Sequence, residues 1–167
     1  MRLIRLALLA FAAVAVCAYV AFRSWERSWY EGLLPLSLKA ESIVALDTRS
    51  GFREGCGTVV FKLDPDAART FRRTGLAALA SARQARAESG PYFSYEEWSE
   101  TPYRETGDGL TLKDRWLNGL SCANLDPDLV KTINGALRSK GSFFSRGQES
   151  GLIVLPTEGL VVLSFEG

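Results

Sequence analysis

The sequence predicts an α+β protein: an N-terminal transmembrane helix, then a two-layer sandwich of a mainly antiparallel four-stranded sheet and two helices. Three observations carry that prediction. Residues 6–22 are seventeen consecutive uncharged residues, all Leu, Ala, Phe, Val, Cys or Tyr. Branched and aromatic residues concentrate near both ends of the remaining chain, at 42–63 and 151–165. Between them the triplet Asp-Pro-Asp, a helix-opening signal, occurs at 64–66 and again at 126–128.

The apolar run reaches the lower limit for a spanning helix, about 17 residues for a hydrocarbon core about 30 Å thick. Arg5 and Arg23 flank it and can snorkel to the two surfaces. Trp25, Trp29 and Tyr30 follow, and such amphipathic rings favour the headgroup layer. A cleaved signal peptide is one alternative, since Ala13, Val14 and Ala15 fit a small-x-small site. Cleavage there leaves an apolar tail. A lipoprotein acylated on Cys17 is another, but Val16 stands where a small residue is needed. Arg2, Arg5 and the amino terminus give the first flank a slight excess of positive charge, which favours a cytoplasmic N-terminus. The expected division is residues 1–31 as anchor, 32–40 as linker and 41–167 as an extracytoplasmic domain. Pro35 discourages a helix continuing through that linker.

Within the domain, 42–48 (SIVALDT) and 58–63 (TVVFKL) read as two strands. The glycines at 51, 55 and 57 mark the turn between them. Asp64 then caps a helix, Pro65 suits its first position and Asp66 complements its dipole. Apolar spacing extends this helix to about Ala87, across Gly75. Asp126, Pro127 and Asp128 open a second helix, to about Ser139. The two openings look like a duplicated unit, but similarity fades after two turns, and independent capping explains them. Residues 151–155 and 160–165 form a hairpin about the turn 156–159. Both runs are nearly all apolar, as in strands buried on two faces.

Composition excludes several functions. Residues 1–30 hold four arginines and one glutamate, so the remainder carries sixteen basic and eighteen acidic residues. That lacks the basic footprint of a nucleic-acid partner. Histidine is absent, which removes the usual general base and the usual zinc ligand. No cofactor or metal motif stands out. Arginine outnumbers lysine fifteen to five, as in GC-rich bacterial genomes. Outside the anchor the cysteines are Cys56 and Cys122, a pair that reads as a disulfide in an oxidising compartment. Two buried thiols are the alternative.

Residues 89–125 are the stretch where function has room. Candidate binding residues there are Tyr95, Trp98, Tyr103 and Trp116, with carboxylates such as Glu96, Glu97 and Glu100 close by. Exposed rings near carboxylates hold sugars or cationic groups; rings turned inward only cover the sheet. The segment is acidic and the preceding helix basic, so the two are expected to face each other. The reading these features favour is a membrane-anchored periplasmic interaction module binding another envelope protein, without catalysis. The alternatives are a glycan- or solute-binding domain built on 92–116, and a carboxylate-based envelope hydrolase.

Overall fold

The computed structural model describes residues 2–50, 55–87, 89–102 and 118–167. The chain forms two compact units, Met1–Glu31 and Gly32–Gly167. The first is the body of helix α1, Arg2–Gly32. By length and composition α1 can cross a membrane over Ile4–Gly32, and its apolar eighteen-residue window is not buried within the protein. At about 1.5 Å per residue it is about 44 Å long, enough for the hydrocarbon core and both headgroup layers. Arg23 pairs with Glu26 one turn on, and the rings of Trp29 and Tyr30 meet edge to face at 4.9 Å.

The second unit is built on a six-stranded antiparallel sheet. Its strands are β1 Ala40–Ser50, β2 Gly55–Leu63, β3 Ser99–Glu100, β4 Phe143–Arg146, β5 Ser150–Leu155 and β6 Leu160–Glu166. Their spatial order is β1-β2-β6-β5-β4-β3. The four expected strands are β1, β2, β5 and β6. The additions are β4, which pairs Phe143 with Val154, and the two-residue β3 beside it. Both are short, and pairing with a neighbour rather than local composition makes them strands.

Helix α2, Pro65–Thr74, starts as expected: the Asp64 carboxylate accepts from Ala67 N at 2.8 Å. It stops well before Ala87, because Gly75 takes φ +61° and turns the chain. A single turn, α3 Leu76–Leu79, follows. Helix α4, Asn118–Cys122, precedes α5, Pro127–Leu137. The Asp126 carboxylate caps α5 by accepting from Asp128 N and Leu129 N.

The α+β class stands, and the helices divide between the two faces of the sheet. Val60 lies opposite Val162, Val162 opposite Ile153, and Ile153 opposite Phe144. These four share a face, on which Ile133, Ala136 and Leu137 of α5 pack. On the other face Phe61, Val161, Val154 and Phe143 stand in a row. Gly75, between α2 and α3, approaches Phe143 there. Two covered faces explain why β2, β5 and β6 are apolar at nearly every position.

Residues expected to form a linker belong to this unit. Leu34 and Leu38 are completely buried. Arg86 N donates to the Leu34 carbonyl at 3.1 Å, and Pro35 bridges to Ala85. Helix α1 ends at Gly32, three residues before Pro35, and the chain beyond it is fastened to the core.

Candidate functional site

The Cys56–Cys122 disulfide ties the start of β2 to the end of α4, with Cα atoms 6.4 Å apart. Beside it α4 lies hard against the sheet. A Cβ on Gly119 stands 2.6 Å from the Phe165 carbonyl oxygen, so only glycine fits. Cys17 is the free cysteine among the described residues. The membrane-length helix and the disulfide together fit an anchored protein whose domain stands on the oxidising side.

The candidate binding residues separate. Tyr95 is 4% exposed and its hydroxyl donates to the Leu33 carbonyl at 2.8 Å. Burial pushes its phenol up to about 12, against a smaller opposing pull from the Ser150 side chain. Trp98 is 5% exposed and its indole Nε1 donates to the Ala82 carbonyl at 2.8 Å. Both polar tips are therefore spent inside the domain: Trp98 closes onto Ala82, and Tyr95 onto Leu33. Tyr103 and Trp116 lie outside the described residues. Among the described residues of this segment the ring that faces solvent is Tyr92, on a short 3-10 turn at Pro91–Phe93; local sequence does not separate it from Tyr95, three residues on.

The carboxylates do not converge either. Glu96, Glu97 and Glu100 are exposed, and Glu100 accepts from Gly141 N at 3.1 Å, a loop contact. No ion pair joins them to the arginines of α2 among the described residues. Arg69 pairs with Asp66 on its own helix, and Arg72 donates to the Pro156 carbonyl at 2.7 Å. The hollow beside α2 is lined by Asp66, Arg69, Thr70, Arg72 and Arg73, all on one helix surface. Among the described residues no group of three or more Cys, Asp or Glu is placed to hold a metal ion.

Sequence reasoning passed over the sheet edge. Strand β1 runs eleven residues and, among the described residues, pairs only with β2. Its register slips between Ala40 and Ser42 and between Ile43 and Ala45. The second slip leaves Val44 standing out, 53% exposed. From Ala45 to Ser50 pairing is regular, so the outer side presents an orderly row of backbone groups. Strand order is the missing signal, since a 42–48 strand looks the same at an edge and in the centre.

Among the described residues these features define a protein with one membrane-length helix and an α+β domain carrying a disulfide and an open sheet edge. Searches against protein-family models, curated proteins and solved structures find no match.

Proposed function

We propose that this is a membrane-anchored interaction module of a bacterial envelope. Its N-terminus is cytoplasmic, its domain is periplasmic, and it binds another envelope protein without catalysis. The observation that carries this reading is the outer edge of β1. An edge strand of this length offers main-chain donors and acceptors to an extended segment of another protein, and strand addition is a common mode of peptide recognition. Exposed Val44 adds an apolar contact beside the regular stretch. The slight positive bias of Arg2 and Arg5 supports the orientation, and the disulfide agrees with it.

Burial of Tyr95 and Trp98 weighs against a glycan platform on those two rings. Affinity capture of the full chain from solubilised membranes tests the protein-binding reading. A specific envelope protein should be enriched, and Val44→Lys should lose it, because a lysine on an edge opposes strand addition. A capture that yields nothing beyond the control, or a partner indifferent to Val44→Lys, defeats it.

A further inference from the structure

The end of the domain where the chain arrives from α1 is built from three segments. Pro35 bridges to Ala85, and Ala85 N donates to the Phe93 carbonyl at 2.8 Å on its other side. Gln84 bridges to Ser94. Leu36 and Tyr92 therefore each sit one residue from a backbone partner of Ala85. Leu36 is 72% exposed and Tyr92 is 54% exposed. Single exposed apolar residues are ordinary on a protein surface. Two flanking one segment, in a domain that a membrane-length helix leads into along the chain, need a reason.

The chain itself supplies one. Trp29 is a ring of the kind that settles at headgroup depth, and Gly32, shared by α1 and the domain, is three residues or about 5 Å of helix beyond it. Leu36 is four residues further, a reach of at most roughly 14 Å. Charge points the same way. Residues 32–40 and 83–95 contain Lys39, Arg83 and Arg86 against the single acid Glu88. Arg86 also donates to the Leu34 and Pro35 carbonyls, which fixes a cation beside Leu36. An apolar tip, an amphipathic ring and basic side chains are what the headgroup layer of an anionic bilayer accepts.

We infer that this end of the domain is a lipid-contacting surface. Leu36 and Tyr92 dip into the interface of the bilayer that holds α1, and Lys39, Arg83 and Arg86 meet anionic phospholipid headgroups. Contact on this side holds the domain down against the membrane. The inference rests on the anchor and not on the identity of any protein partner.

Spin-label accessibility on the full chain tests it. In a Cys17→Ala background, single cysteines replace Leu36, Tyr92, Lys131 and Val14, and the labelled proteins are reconstituted in vesicles of phosphatidylethanolamine and phosphatidylglycerol. Leu36, Tyr92 and Lys131 are exposed, so labels there leave the core intact. The ratio of oxygen to nickel-chelate collision should be severalfold higher at positions 36 and 92 than at 131 on α5, and should fall towards the 131 value when phosphatidylglycerol is omitted. Ratios at 36 and 92 equal to that at 131 overturn the lipid contact while position 14 still reports the bilayer. Shielding of 36 and 92 from both reagents indicates a protein contact and overturns it too. A water-exposed label at 14 overturns the anchor and this inference together.

Discussion

The Tyr95 hydroxyl donates a 2.8 Å hydrogen bond to the Leu33 carbonyl, across sixty-two residues of chain. That bond fastens the first residues of the domain to the segment that also carries Trp98. Tyr95→Phe removes the donor and leaves a carbonyl without it, at a cost of roughly 1–2 kcal/mol. The pH dependence follows from burial. Burial raises the phenol from its ordinary 10.0 to about 12. The native state thus holds its proton more tightly than the unfolded chain. The stabilisation is complete below pH 10 and is lost as pH rises through 10 towards 12. Urea unfolding at about pH 8 and about pH 11 should show a smaller loss in Tyr95→Phe than in the parent. Equal losses would assign the effect to other groups.

The Cys56–Cys122 bridge spans a sequence separation of 66. Loop-closure entropy for that length corresponds to about 4 kcal/mol, a large part of the total for a domain of this size. A Cys56→Ser, Cys122→Ser variant should unfold at much lower urea. Alkylation of the denatured, unreduced parent should modify Cys17 alone, with the other two cysteines reacting after reduction. Three modified cysteines without reductant would refute the bridge.

Two glycines in helices should respond in opposite directions. A Cβ on Gly119 meets backbone of β2 and β6 at well under contact distance. Backbone cannot swing aside as a side-chain tip can, so Gly119→Ala should cost roughly 1–3 kcal/mol or more. Gly135 lies inside α5 and a Cβ there meets nothing within 4 Å. Gly135→Ala should gain up to about 1 kcal/mol of helix propensity. Chemical denaturation of the two variants checks both, and an equal response from both would contradict the close approach of α4.

The helix starts were legible because their physics is local. Asp64 caps a group three residues away, and Asp126 caps groups two and three away. The 151–165 hairpin was legible for the same reason: its turn separates two apolar runs directly. Phe143–Arg146 gave no such signal, since four residues become a strand only through pairing with β5. The end of α2 depended on the positive φ of Gly75, which composition does not announce. Tyr95 and Trp98 were ambiguous because the carbonyls that receive them, Leu33 and Ala82, are distant in sequence. Nothing in residues 89–98 alone tells an inward ring from an outward one.

Thr58 and Ser164 face each other across β2 and β6, both buried, and neither hydroxyl has a hydrogen-bond partner among the described residues. A buried hydroxyl without a partner loses its hydration and gains nothing in return. Their place in the strands still suits them: Thr58 is β-branched, and Ser164 is small where α4 crowds the sheet at Gly119. Shape and polarity can therefore be separated. Thr58→Val keeps the branched outline and removes the hydroxyl, so it should raise stability by about 1 kcal/mol. Ser164→Ala should be neutral or mildly stabilising, since it removes one oxygen and leaves little space behind. The two sites touch, so the double variant should gain less than the two gains combined. Urea denaturation of the three proteins decides it. A loss of stability in Thr58→Val would mean that its hydroxyl is bonded in solution, and the polar pair under α4 would then count as support for the fold instead of a cost to it.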